Sequence, residues 1–516
     1  MSGRYLLGLD GGSSSTKAVI FDMKGEVIGV GRSASPISFP QPNWVERDMA
    51  QAWQGSAHAI REALENARLS GADIAAIGVT AHGDGLYVAD TKGEPLGPGI
   101  TSMDERARSV VARWQDMNLT QAALDEVGQM PVPYAPVTLL AWMKDNQPER
   151  YARIGHVLSC KDWLRFKLTG KIAADFTESS TGFTNVNTQT YSDNALALFG
   201  ISEVEKALPE VLMPDQIAGY VSAEAARETH LLEGTPVATG LHDVTASAVG
   251  LGNAEAGKMT ITTGTFSINE VFSDEPRPDL RWATRNGIRP GQWLNMAISP
   301  ASSSNLEWFY RQWRHGDEGS ATSFLADMDD ELEEAFASPS QLIYHPFLYG
   351  SPYKEPASGA LLGLRGWHGR GHVLRAILEG VVFNHRIHVD GLGSAFNFNR
   401  ASITGGGSYS PRLAQLFADS LNLTIETSCI REAAAWGAAM CAGVAVGAFD
   451  ALESAVGEGG NHIAYSPIPA NIERCQKSFE HYNELIERLK PSWPTLYGES
   501  PDEVSAVSVK QKETAR

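Results

Sequence analysis

The stretch Gly8-Leu-Asp-Gly-Gly-Ser-Ser-Ser-Thr-Lys17 decides how this chain is read. An apolar run, Leu6 to Asp10, ends on an aspartate, and Lys17 to Asp22 reads as the returning strand. Small turn residues let backbone N–H groups approach a phosphate closely, and hydroxyls add further donors. An aspartate at the strand end suits Mg²⁺, which takes oxygen ligands and keeps several waters. Asp10 is therefore a candidate metal residue. Gly12, Ser13, Ser14 and Lys17 are candidates for holding phosphate.

Val27 to Gly31 reads as a third antiparallel strand and Met49 to about Ala67 carries helical periodicity. Ile77-Gly-Val-Thr is a strand that runs into the loop Ala81-His-Gly-Asp-Gly. Strand, strand, strand, helix, strand implies a mixed α/β layer. The pattern then restarts. Pro236-Val-Ala-Thr-Gly reads as a strand leading to Leu241-His-Asp, and Lys258 to Ile268 is a second hairpin with Gly264 and Thr265 at its turn. Two small-residue hairpins from two halves could clasp one polyphosphate. Ile403-Thr-Gly-Gly-Gly-Ser-Tyr-Ser-Pro411 precedes a helical pattern over Arg412 to Leu421. Strand, triple-glycine turn and helix N-terminus form a ready anion or nucleotide platform. Asp243 closes Gly240-Leu-His-Asp, at a strand end near the boundary, and an aspartate there also caps the following helix. The boundary falls in Gly250 to Gly257. It predicts one domain over 1–253, a second over 254–490 and a polar tail over 491–516.

Bulk properties narrow the functions. Over 516 residues, 42 basic side chains face 61 acidic ones, a formal net charge of −19. An acidic surface repels nucleic acid and anionic lipid, so neither partner is expected. Four cysteines in no metal or redox spacing fit a reducing compartment, so a cytoplasmic location is expected, and no basic and apolar leader precedes Tyr5. Ala433 to Phe449 is the longest apolar run, too short to span a bilayer and rich in Ala and Gly, which predicts a closely packed core helix. Gly252 to Lys258 opens like a P-loop, but Met259 stands where Mg²⁺ needs a hydroxyl. His385 and His388 share a helix face without a third ligand nearby and are read as structural.

These residues together resemble the FGGY family of carbohydrate kinases, from about Tyr5 to Lys490. The family's first signature is similar to Tyr134-Ala-Pro-Val-Thr-Leu-Leu-Ala-Trp-Met-Lys-Asp-Asn146, with Leu139 where a lysine is usual. Its second is similar to Gly359-Ala-Leu-Leu-Gly-Leu followed by His372-Val-Leu-Arg-Ala-Ile-Leu-Glu379. The resemblance implies two actin-like, ribonuclease H-like domains, with mixed sheets flanked by helices and the active site in the inter-domain cleft. It implies ATP and Mg²⁺ as cofactors. Asp10 and Asp243 then hold the metal, and Asp243 is the general base. Gly12, Ser13, Ser14 and Lys17 form the first phosphate loop, and Gly264 and Thr265 the second. Ser303, Gly406, Gly407 and Ser410 fall on the nucleotide side, with Ala434 to Ala438 behind the adenosine pocket. His82, Gly83, Asp84, Asp104, Tyr134 and His242 fall on the substrate side.

Three stretches look closest to the L-xylulose kinase branch: Gln41 to Met49, Ser303 to Phe309 and Pro346 to Ser351. The expected reaction transfers the γ-phosphate to a primary hydroxyl of a small neutral keto-sugar, a pentulose such as L-xylulose. A polyol kinase for a tetritol, pentitol or glycerol is the alternative, and a non-catalytic sugar sensor or actin-like ATPase the remote one. Asp84 is expected to repel a sugar acid. Gly83, in place of the arginine of glycerol kinases, is expected to leave room for a longer chain. By analogy with such families, a homodimer is the oligomer to test.

Overall fold

The computed structural model describes residues 4–13, 15–313, 325, 328–353, 357–406, 410–428, 430, 432–453 and 462–497. The chain forms two compact units. The first joins 1–256 to 272–295 and 430–461, and the second joins 257–271 to 296–429 and 462–516. Each unit is therefore discontinuous, and the segments 272–295 and 430–453 return to the unit built by the first half.

In the first unit a six-stranded sheet runs in the order Ile217–Tyr220, Pro236–Ala238, Ile74–Ala81, Tyr5–Gly11, Ser15–Phe21, Val27–Ala34. The last three strands are antiparallel, with Asp10 opposite Lys17. Tyr5–Gly11 and Ile74–Ala81 are parallel, Gly8 facing Gly78. Helix Met49–Ala67 starts where Asp48 accepts the Gln51 N–H (2.8 Å), so the expected helix has the cap its first turn needs.

Helix Ala433–Ala445 belongs to this first unit. A Cβ on Gly8 would lie 2.0 Å from the Ala435 carbonyl oxygen, and one on Gly78 would lie 1.7 Å from that of Ala438. The helix thus rests directly on strand backbone, and its own Gly437 would meet the Ala246 oxygen at 2.0 Å. This close approach accounts for the Ala/Gly run. Ala434 to Ala438 were expected behind the adenosine pocket, but Ala435 and Ala438 meet the glycines of the first unit's sheet.

The second unit repeats the same logic. Hairpin Met259–Thr263/Ser267–Ser273 is antiparallel, Met259–Thr263 runs parallel to Arg400–Thr404, and Thr424–Ser428 and His462–Tyr465 follow. His385 bonds Asn269 Oδ1 (2.9 Å) and Ser302 Oγ (3.2 Å), and His388 bonds Ser299 Oγ (2.9 Å), so both are core histidines. The expected polar tail begins later than residue 491. Lys490–Ser492 and Trp493–Tyr497 are helical and the Trp493 side chain is buried against Phe347 and Tyr353, while 498–516 lie outside the described residues.

No helix of the described residues is long and apolar enough to cross a membrane.

Candidate active site

The turn at Gly12 and Ser13 is held from behind. Arg47, almost fully buried, donates to the carbonyl oxygens of Gly12 (3.2 Å) and Ser13 (2.7 Å). With its carbonyls turned to a cation, such a turn is free to point N–H groups the other way. Ser14 lies outside the described residues. Lys17 Nζ sits on Glu432 Oε2 (2.8 Å), which also binds Arg32 through Oε1 (2.9 Å). Asp10, half-buried at the strand end, is pushed up to about 6, first by burial; Lys17 opposes the rise and Glu432 adds to it.

Asp243 begins helix Asp243–Gly250. The chain reaches it through Gly240, whose φ of +81° and 1.8 Å approach of a hypothetical Cβ to the Val79 oxygen leave no room for a side chain. Its loop is anchored by polar groups. Thr80 Oγ1 donates to the Leu241 oxygen (2.8 Å) and the His242 N–H donates to Thr177 Oγ1 (2.8 Å). Thr177 in turn donates to Asp175 (2.6 Å), which is ion-paired with buried Lys161. The Asp243 carboxylate accepts from the Val244 N–H (2.8 Å) and from the Gly83 N–H, yet its side chain stays 34 % open. Burial first, and then Asp10, push it up to about 7.

The loop 82–85 packs against Asp243 and closes on itself. A Cβ on Gly83 would lie 1.9 Å from His242 Nε2, so the space beside Gly83 is filled by the His242 ring. The expected room for a longer substrate is not there. Asp84 adopts φ +55°, tolerated by Asp, and its N–H donates to Glu178 Oε1 (3.2 Å). Burial holds the Glu178 carboxyl well above the usual range. Arg285, from strand Ala283–Asn286, grips Asp84 with both terminal nitrogens at 3.1 Å. The expected repulsion of an acid by Asp84 loses its basis, because that carboxylate is already paired. Tyr134, half-buried, accepts the Gly85 N–H at its carbonyl (3.0 Å), and its phenol is raised by burial and by Asp84. His82 bonds Tyr87 (3.2 Å) and is pushed down to about 3 by burial and Arg47, so it is neutral.

Asp104 does not face this group with an open oxygen. It is fully buried, and both oxygens are filled by Arg106 (N–H and Nε to Oδ1, each 2.9 Å; Nη2 to Oδ2, 2.8 Å) and the Val45 N–H (2.6 Å). Its expected role in lining the sugar site gives way to a structural one.

In the second unit the turn at Gly264 and Thr265 is tied to Ser303. The Ser303 N–H donates to the Gly264 oxygen (3.0 Å) and its hydroxyl to the Thr263 oxygen (3.0 Å). Thr263 also donates to the Thr404 oxygen (3.0 Å), joining this hairpin to the strand that ends before Gly406. Ser410 caps helix Pro411–Leu421 through the Leu413 N–H (3.3 Å). Gly406 is exposed; Gly407 lies outside the described residues. A separate cavity of about 320 Å³ in this unit, between Tyr344, Arg375, Phe383 and Tyr482, contains none of the expected site residues.

Sequence reasoning missed Arg47, Thr177, Glu178 and Arg285. Nothing marks Arg285 in Trp282-Ala-Thr-Arg-Asn286, and only the polar run Asp175 to Thr181 hinted at a turn with work to do.

The models of the N-terminal and C-terminal domains of the FGGY family of carbohydrate kinases match residues 5–250 and 259–446. This chain belongs to the FGGY family of carbohydrate kinases. It is 34 % identical over 496 residues to the L-xylulose/3-keto-L-gulonate kinase of Escherichia coli (strain K12), covering 94 % of this chain and 97 % of that one. An erythritol kinase of Brucella abortus (strain 2308) is 28 % identical over 518 residues, covering 96 % and 98 %. A crystal structure of a "xyloylose kinase" from Brucella ovis superposes with a TM-score of 0.82 at 27 % identity, covering 94 % and 99 %. The protein is accordingly a phosphotransferase of the sugar and polyol kinases, with the actin-like fold and ATP as donor.

Proposed function

We propose that this FGGY kinase transfers the γ-phosphate of ATP to a primary hydroxyl of a small neutral keto-sugar, a pentulose such as L-xylulose, with Asp243 as general base. The observation that carries the reading is the Asp243 carboxylate: part open, raised to about 7, and held by the loop that also carries His82, Gly83 and Asp84. A base with a value near working pH combines the correct protonation state with useful driving force. Phosphoryl transfer asks little else of a protein than positioning and charge compensation.

Mg²⁺ fits the residues present. Asp10 and Asp243 are both raised, Asp10 contributes to the rise of Asp243, and Lys17 is engaged by Glu432. Mg²⁺ keeps several waters and needs one or two carboxylates, so it does not require a cluster of three ligands, and no such cluster exists among the described residues. When bound it would neutralise phosphate charge. Gly12, Ser13 and Lys17, and in the second unit Gly264 and Thr265, are the proposed phosphate contacts. Ser303, Gly406, Gly407 and Ser410 are the proposed nucleoside contacts.

The preference for a neutral sugar rests on a revised charge count. Asp84 and Arg285 cancel, and His82 and His242 are neutral. Asp10 and Asp243 remain as the carboxylates with least compensation, and a substrate anion beside them would be resisted. A coupled assay over pentuloses, tetritols, pentitols, glycerol and sugar acids tests this. A neutral pentulose is expected to give the highest kcat/KM. A sugar acid or glycerol ahead of every pentulose overturns the substrate assignment, and a tetritol or pentitol in front moves it to a polyol.

A further inference from the structure

Arg285 touches more than Asp84. A guanidinium carries five N–H donors and no acceptor. Nε donates to Gln129 Oε1 (3.0 Å), Nη2 and Nη1 donate to the two oxygens of Asp84, and Nη1 also lies 3.3 Å from His242 Nε2. Gln129 is itself fixed, its Nε2 donating to the Ser180 oxygen (2.8 Å). All of these groups are buried, so the arginine is held from three directions.

That contact has a consequence for the imidazole. Because arginine only donates, His242 Nε2 must accept, and it must carry no proton. A neutral imidazole then places its one N–H on Nδ1. Nδ1 stands 3.2 Å from Asp243 Oδ1. In this tautomer the ring nitrogen nearest the carboxylate carries the proton; in the other, that nitrogen would bring a lone pair beside a negative oxygen.

We propose that Arg285 is a positioning residue: it fixes the tautomer of His242 so that the Nδ1–H supports the Asp243 carboxylate. The inference rests on the reading of Asp243 as base. The row Gln129, Arg285, His242, Asp243 passes orientation from a buried amide to the reacting oxygen without Arg285 touching substrate. It also gives Gly83 a reason beyond the turn, since any side chain there would displace the His242 ring.

The test reads the tautomer directly. ¹⁵N NMR of the histidine rings in the full chain, with His242 assigned by comparison with His242→Gln, should show a protonated-type shift on Nδ1 and an unprotonated-type shift on Nε2. A proton on Nε2, or on both nitrogens, overturns the proposal without any variant at Arg285. Replacing Arg285 alone would leave buried Asp84 unpaired, so the informative variant is Asp84→Asn/Arg285→Gln, checked for folding by thermal melting. It should populate the Nε2–H tautomer and lose kcat by roughly 10- to 100-fold, the usual scale for a partner that orients a ligand or catalytic group. A folded double variant that keeps the Nδ1–H tautomer, or full kcat, also overturns it. If the wild-type protein phosphorylated no sugar or polyol, the proposed function would fail, while the NMR result would still decide the tautomer.

Discussion

Asp104 and Asp243 are both aspartates of the first unit, yet their surroundings differ completely. Asp104 has four donors for its two oxygens, and the guanidinium that supplies two of them lies over Trp44 (4.0 Å to the ring centroid) and also binds Glu46 (2.9 Å). Asp243 has two backbone donors and an imidazole edge, and one third of its side chain is open. What separates a structural carboxylate from a candidate base is acceptor capacity left unfilled. A filled carboxylate has no acceptor capacity to spare. An unfilled, partly desolvated one is raised toward neutral pH and can take a proton.

The sharpest way to break this comparison is to exchange each carboxylate for a group that cannot act as a base. Asp243→Asn should fold and bind ATP but lose kcat by about 10²–10⁴-fold, and any acid limb near pH 7 should vanish from its residual activity. Retention of more than about a tenth of wild-type turnover would break the assignment. Asp104→Ala should behave the other way. It removes one of the two carboxylates that pair with buried Arg106 and leaves Glu46 as the other, which should cost about 1–3 kcal/mol in urea unfolding, while the fraction still folded keeps near-normal kcat. Lost turnover at unchanged stability would return Asp104 to the substrate side.

The smallest effect concerns pH and stability. Asp243 is raised from its ordinary 3.8 to about 7, so between those values the folded protein binds more protons than the unfolded one. Stability contributed by this group therefore falls as pH rises through that window, and the penalty is complete above it. Asp243→Asn removes the penalty. It should be more stable than wild type by about 1–2 kcal/mol above pH 7, discounted for the open third of the side chain, and no more stable near pH 4. A gain that did not change with pH would mean that the carboxylate is not strained by burial.

Much of this protein was legible in its sequence. The hairpin at Gly8 to Lys17, the helix from Met49, the second hairpin at Met259 and the strand before Gly405 all follow from local pattern: alternation, helical periodicity and turn chemistry act over a few residues. Asp10, Asp243 and the glycine turns stood out because small residues and an acid at a strand end are unusual in company. Partnership across long separations was not legible. Asp84 and Arg285 are 201 residues apart, and Lys17 and Glu432 are 415 apart. No local signal says that one will neutralise the other, so the charge at the 82–85 loop was misread. The same holds for helix Ala433–Ala445. Its composition demanded close packing, but only folding decided that Gly8 and Gly78 would supply the floor. The sequence by itself determined which segments become strands, helices and turns, because those choices are settled by neighbours along the chain. The tertiary structure decided which carboxylates are paired, which imidazole nitrogen can carry a proton and which acid remains open, because these depend on groups that meet only once the backbone is closed.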